Sequence, residues 1–323
     1  MTLLNNIINY KIGSDKFSWL RKLYLKISDY EIKYVLRREK ASTLFFYSEE
    51  LRDRPEFREL ILSVVSKLDN CNFLMCKRIV NFKINRNIEN QLVSTADKID
   101  LNGIDKIVIF CPHLMLDYSV LIKAKKSNIQ TICMQHGYYS FNDDEYNLFK
   151  KMTSCDIALQ YDHRSDDFFS NCKDRIYVGQ YAKCGELDPI VVNGGMIYLP
   201  YVNATNLSYV IGLVEKITSE ILCNYTIRLH PRQDTKVFKK ICSKKIDFKK
   251  IKKLPSNVIG EVNFYIETTA WTLINGNLNL QKNFLIRNGV MEEINKASYP
   301  STDRLLQAIK RLNHAEICRD KCH

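Results

Sequence analysis

From residue 43 onward the chain alternates short apolar runs with stretches of helical period. Thr43–Tyr47, Lys106–Cys111 and Ile129–Met134 read as strands. Pro55–Leu68 and Asp117–Ser127 read as helices, the second with Leu121, Ile122 and Ala124 inward. Asp156–Tyr161 predicts a further strand, His163–Cys172 a helix, and Arg175–Val178 a strand ending at Gly179. Strands alternating with helices in this way announce crossover units and a mainly parallel sheet. Between Gln180 and Gly195 the pattern breaks at Gly185, Pro189, Gly194 and Gly195, and a domain boundary is expected there.

A second series follows. Met196–Leu199, Tyr225–Leu229, Val262–Ile266 and Asn283–Ile286 read as strands, and Thr235–Cys242, Thr269–Asn275 and Thr302–Leu312 as helices. Leu207, Val210, Ile211, Val214, Ile217 and Ile221 form one apolar stripe of a helix that should pack on a sheet. The expected architecture is α/β, with two Rossmann-like domains facing across a cleft: residues 1–182 and residues 183–323. A chain of 323 residues is comfortable as two domains of about 150 residues each.

Two strands end unusually. TICMQHGYY closes on Gln135, His136, Gly137 and Tyr138; YTIRLHPRQ closes on Arg228, His230, Pro231 and Arg232. In parallel sheets ligands bind beyond the carboxyl ends of strands, where both histidines fall. His136 so placed either takes a proton from a hydroxyl nucleophile or hydrogen-bonds a loop carbonyl. Arg228 and His230 share a strand face by alternation, and Arg232 follows. No acid lies between residues 226 and 233, so the cluster suits a diphosphate or phosphodiester. In FYIETTAWT a strand delivers Glu267, Thr268 and Thr269 to a helix start. The threonine hydroxyls there either cap the helix or touch phosphate, and Glu267 is placed to receive ribose hydroxyls.

Composition narrows the classes. Eleven Cys, an odd number spread through apolar runs, fit reduced buried thiols, and neither Cys71 with Cys76 nor Cys318 with Cys322 and His323 has the second ligand pair of a zinc finger. No essential metal and no cofactor is expected. The chain lacks a phosphate-binding G-x-x-x-x-G-K loop, a G-x-G-x-x-G turn, a nucleophile elbow and an H-E-x-x-H helix. No run approaches 18 apolar residues and the N-terminus lacks a signal peptide's order, so a cytoplasmic, non-spanning protein is expected. The net charge of +12 is concentrated: nine Lys between residues 235 and 260 face the single acid Asp247. From Tyr10 to Arg38, Lys and Arg alternate with Phe17, Trp19, Tyr24, Tyr30 and Tyr34. That mixture suits an anionic membrane surface at the inner face of the cell membrane, or else a solvated face.

His-Gly after one strand, His-Pro-Arg after another and a later Glu-Thr-Thr together resemble GT-B glycosyltransferases of bacterial surface polysaccharide synthesis, over roughly residues 100–290. Two branches are similar: bacterial sialyltransferases with related capsule enzymes, and teichoic-acid polyol-phosphate transferases. The resemblance implies a nucleotide-sugar donor and a lipid-linked or oligosaccharide acceptor, with no nucleic acid. It makes His136 the base or acceptor-side group, with Gln135, Gly137 and Tyr138 beside it. Arg228, His230, Arg232, Thr268 and Thr269 become the donor phosphate site, and Glu267 the ribose or sugar contact. The chain departs from the first branch where Asp143, Asp144 and Glu145 are followed by Tyr146 rather than Gly. It departs from the second at Gln135, where that branch has Trp, and at Glu-Thr-Thr. A CDP-polyol phosphotransferase and a non-enzymatic anion- or lipid-binding module on residues 235–260 are the competing readings.

Overall fold

The computed structural model describes residues 18–49, 55–80, 87–110, 112–135, 144–179, 190–200, 206–220, 224–230, 247–252, 258–266, 282–287, 289–293 and 302–319, with isolated positions between them. They form two compact units: one of residues 1–136, 147–181 and 301–323, the other of residues 137–146 and 182–300. The chain thus divides near residue 181, but its closing helix belongs to the first unit.

The first unit is built on a seven-stranded sheet in the order β1-β3-β2-β4-β5-β6-β7. The strands are β1 (Ser28–Leu36), β2 (Thr43–Glu49), β3 (Cys71–Val80), β4 (Lys106–Ile109), β5 (Gln130–Met134), β6 (Ile157–Gln160) and β7 (Asp174–Tyr177). All neighbours run parallel except β1 against β3. Parallel neighbours cannot be joined by a hairpin, and helices α2 (Pro55–Val65), α3 (Ile88–Asp97), α4 (Met115–Lys126) and α5 (Asp144–Met152) provide the crossovers. Strands covered on both faces read as continuous apolar runs. Accordingly Leu44, Phe45, Phe46, Phe73, Leu74, Ile107, Val108, Ile132 and Leu159 are all buried.

Basic side chains close several helix ends in this unit. Arg38 donates to the carbonyls of Val65, Leu68 and Cys71 just past α2, at 3.2 Å to Val65 and 3.1 Å to Cys71. Lys123 on α4 donates to Ala96, Asp97 and Ile99 at 3.1, 2.9 and 2.6 Å, where α3 ends. Carbonyls left over at a helix C-terminus carry partial negative charge, so a cation there satisfies both hydrogen bonding and the helix dipole. Buried Lys106 donates to the Leu312 carbonyl (2.9 Å) of the closing helix α7 (Thr302–Arg319).

Two elements depart from the pattern read above. The helix expected over His163–Cys172 is a single 3-10 turn, His163–Ser165, followed by turns. Asp166 is held there by Gln160 and Tyr177, and neighbouring Phe168 and Phe169 are both buried edge to face. Tertiary contacts set this segment against its local periodicity. The aromatic and basic stretch before residue 38 also contains a strand, β1, on the sheet's edge.

The second unit holds a five-stranded sheet, β12-β11-β10-β8-β9, from β8 (Ile190–Tyr198), β9 (Tyr225–Arg228), β10 (Val258–Ile266), β11 (Lys282–Arg287) and β12 (Val290–Glu293). Only β12 runs antiparallel. Helix α6 (Leu207–Glu220) lays Val210, Ile211, Val214 and Ile217 onto Ile197, Ile227, Phe264 and Ile286, as its stripe predicts. Between β8 and β10 the register slips, with Asn193 and Gly194 opposing Glu261 alone, a β-bulge. Gly194 sits at φ +92°, and a Cβ on Gly260 would lie 2.8 Å from both the Gly194 carbonyl and the Met196 amide. Buried Asn263 secures the bend by accepting from the Gly260 amide at 2.9 Å and donating to its carbonyl at 2.8 Å. Among the described residues no helix is long and apolar enough to cross a membrane.

Because the atoms around Gly260 are backbone and cannot swing aside, Gly260→Ala is expected to lower stability by about 1–3 kcal/mol in urea unfolding. A second expectation concerns Asp156, which accepts from Thr131 through its amide (2.8 Å) and hydroxyl (2.7 Å) and pairs with Lys173 at 2.6 Å. Partial burial raises its pKa, but Lys173 and the Thr131 bonds outweigh this and leave it below the ordinary carboxylate value. A folded-state pKa below the unfolded one gives stability that is full at neutral pH and lost as pH falls through the folded value. Asp156→Asn is therefore expected to be less stable than wild type at pH 7, with the gap closing below about pH 4, measured by thermal unfolding across pH.

Candidate functional site

In the second unit, β9, β8 and β10 are adjacent and parallel, so their carboxyl ends emerge side by side. His230 lies two residues beyond β9, half-buried, and residue 267 onward follows directly from β10. The strand order reverses across β8, with β9 on one side and β10 on the other. The crevice between β8 and β10 is the place where an open parallel sheet receives ligands.

Arg228, Tyr198 and Tyr265 stand in one register row across these strands. The tyrosine rings stack at 4.6 Å and 17°. The Arg228 guanidinium lies 5.6 Å from the Tyr198 ring centroid and donates to the Val258 carbonyl at 3.3 Å. Tyr198 reaches the same carbonyl at 3.5 Å, and Tyr265 donates to Asn283 at 3.3 Å. Burial pushes the Tyr198 phenol up to about 12 even though Arg228 pulls it down, and burial lifts Tyr265 well above the ordinary phenol value. Both stay protonated at neutral pH and supply no base. Arg228 thus ties β9 to the bent start of β10.

The loop carrying His230 is fixed by Gln233, which no strand or helix pattern singles out. Its amide donates to the His230 carbonyl at 2.8 Å, and its buried side-chain carbonyl accepts from the Val202 amide at 2.8 Å. One glutamine therefore joins the loop after β9 to the loop after β8.

The first unit repeats the device. Gln135, immediately after β5, is fully buried; its side chain accepts from the Tyr161 amide and donates to the Ser165 hydroxyl, both at 2.7 Å. Its own amide donates to the Leu159 carbonyl at 3.0 Å. The residue expected beside an acceptor is thus a buried tie between the loops after β5 and β6, one position before His136. In each unit a neutral, buried amide near the strand's end anchors a loop and holds backbone without adding charge.

The first sheet reverses its order between β2 and β4, and there the structure gathers residues that the sequence did not assign to a site. Ser48 at the end of β2 donates to Asp117 in the first turn of α4, a carboxylate that is 1% exposed. A carboxylate in a first helical turn is favoured by the free amides there. Cys76 pairs in register with Ser48, and burial first, then the Asp117 charge, hold its thiol protonated and unreactive. Buried His113 packs its ring 4.6 Å from Phe149 and edge-on to Phe168. The signal in the sequence was His113, between a strand and a helix, and Asp117 at that helix's start.

His136, Gly137, Tyr138, Arg232, Glu267, Thr268 and Thr269 lie outside the described residues. The lysine-rich segment is described in part: Ile251 bridges to Ile227 beside β9, and Lys250 lies 5.2 Å over the Tyr225 ring.

Fold and site together define two α/β units built on mainly parallel sheets whose strand-end loops are tied by buried glutamines. No protein-family model and no curated protein matches the sequence. Among solved structures the chain is similar to UDP-N-acetylglucosamine 2-epimerase from Rickettsia bellii, with 13% identity over 84% of this chain and 87% of that one, and a TM-score of 0.45. It is also similar to the S. aureus MnaA–UDP co-structure, with 10% identity over 84% and 87% and a TM-score of 0.43. A third likeness is to the apo form of the lipopolysaccharide outer core galactosyltransferase WaaB, with 9% identity over 85% and 91% and a TM-score of 0.40. Scores of this size leave the chemistry to be read from the chain's own residues.

Gln233→Leu keeps the side chain's bulk but strands the buried Val202 amide. Loss of about 1–3 kcal/mol is expected, read as a lower urea midpoint at unchanged slope.

Proposed function

We propose that the chain is a glycosyltransferase that moves a sugar from a nucleotide-activated donor, of the CMP- or UDP-sugar type, to a growing bacterial surface glycan such as lipopolysaccharide O-antigen or capsule. The observation that carries this reading is the adjacency of β9, β8 and β10. The His230 loop, with Arg232 two residues further along the sequence, leaves the same end of the sheet as β10, whose last residue Ile266 precedes Glu267, Thr268 and Thr269 in sequence. A donor phosphate at that end meets imidazole, guanidinium and hydroxyl donors with no acid between residues 226 and 233.

In the proposed reaction an acceptor hydroxyl oxygen bonds to the anomeric carbon as the bond from that carbon to the donor phosphate oxygen breaks. The hydroxyl proton passes to His136, and the nucleotide leaves with the electron pair. His230, Arg232 and the threonine hydroxyls stabilise the charge that grows on the departing phosphate, a task met electrostatically without a divalent ion. Glu267 receives ribose or sugar hydroxyls. Gly137 and Tyr138 serve the acceptor side, and Gln135 acts by holding their loop. Arg228, with its guanidinium bonded to Val258, is assigned to positioning β9, which leaves the phosphate to His230 and Arg232. A lipid-linked acceptor would bring the protein to the inner membrane face.

Calorimetric titration of CMP, CDP, UDP and GDP in EDTA tests the reading. One nucleotide is expected to bind wild type, and His230→Ala to weaken it at least about tenfold, the loss of roughly one charge-assisted hydrogen bond, with unchanged thermal midpoint. Arg228→Ala is expected to lower the midpoint as well. Binding of none of the four, or equal binding by His230→Ala, removes the donor site. Where a nucleotide does bind, donor consumption that needs no acceptor removes the transfer reaction.

A further inference from the structure

Helix α1 (Ser18–Lys26) carries most of its apolar residues on the outside. Leu25 alone among them is buried, at 1% exposure, whereas Trp19, Leu20, Leu23 and Tyr24 are 62%, 43%, 47% and 37% exposed. At about 100° per residue, those four side chains fall in one arc of roughly 140°, with Leu25 on the opposite side. Lys22 and Lys26, both exposed, border the arc, and the sequence SWLRKLYLK contains no acid. The helix is fastened from behind: Leu25 enters the core, and Ser28, the first residue of β1, donates to the Tyr24 carbonyl. The apolar arc is therefore displayed on an anchored element.

We infer that α1 is a docking helix for the surface of an anionic phospholipid bilayer, lying in the interface plane. Trp19, Leu20, Leu23 and Tyr24 would enter the boundary between headgroups and acyl chains, and Lys22 and Lys26 would meet lipid phosphates. An aromatic and aliphatic arc bordered by lysines is the composition such a boundary receives. Charge argues against a second copy as the occupant. A symmetric pairing through this face would bring Lys22 and Lys26 of two chains together, each chain already carrying +12, with no acid on the helix to answer them. The inference rests on the helix alone and stands apart from the strand-end site.

The test is co-sedimentation of the full chain with vesicles of phosphatidylcholine alone and of phosphatidylcholine with about three parts in ten phosphatidylglycerol. Wild type is expected to bind the anionic vesicles, and a Leu20→Glu/Leu23→Glu double variant to bind them at least about tenfold more weakly. A Lys22→Glu/Lys26→Glu variant is expected to lose the preference for the anionic lipid. Trp19 fluorescence should shift to shorter wavelength on binding, a change missing from Trp19→Phe. All five substituted positions are exposed and outside the core, and circular dichroism checks that the fold is kept. Equal binding by the Leu20→Glu/Leu23→Glu variant overturns the inference, as does indifference of wild type to anionic vesicles. Self-association abolished by that variant, without vesicle binding, would assign the face to a second copy instead. Nucleotide titration of the same variant should match wild type, so failure here is distinguishable from failure of the donor site.

Discussion

A parallel pair of strands forces the chain to travel back along the sheet before it can pair again. Every carboxyl end in such a sheet therefore opens on the same side, and every loop leaving it meets its neighbours there. That constraint explains why residues distant in sequence, such as Val202 and Gln233, are tied to each other. It also explains why both sheets place their polar, chemically useful residues at one end while the strands themselves are apolar. The bend at Gly194 and Gly260 modifies this plan in the second unit. It brings Val258 over Tyr198 and Tyr265, and Arg228 completes the arrangement from β9.

Strands buried on both faces were the most legible elements, because burial on both sides leaves an unbroken apolar run. Lys106–Ile109, Gln130–Met134 and Ile157–Gln160 all coincide with such runs. β3 and β1 escaped notice for opposite reasons. Cys71–Val80 mixes Asn, Lys and Arg into its apolar residues, and Ser28–Leu36 is an edge strand whose charges look like a surface patch. The turn after His163 was misread because the contacts that hold Asp166 come from Gln160 and Tyr177, on different strands, and no local period reports them.

At the site, the ends of β5 and β9 were legible as anomalies, apolar strands closing in histidine. What the sequence could not disclose was which neighbours are fastened elsewhere. Alternation puts Arg228 on the face of His230, and the bulge also brings the Val258 carbonyl within its reach, which no local pattern reports. Gln135 reads as an acceptor-side residue and Gln233 is not singled out, since a buried amide is recognised only through partners some thirty positions away. The Ser48–Asp117 pair spans two crossovers and leaves no short motif.

The closing helix has a consequence for how the chain is made. Lys106 and Leu312, which share a hydrogen bond, are 206 residues apart. At about 5–20 residues per second, a ribosome needs roughly 10–40 s to pass from one to the other. From the completion of β7 at Tyr177 until the end of that interval, the first unit has all seven strands but not the helix that accepts from its buried lysine. Its completion is therefore a late event in biosynthesis, taking place after the whole second unit has emerged.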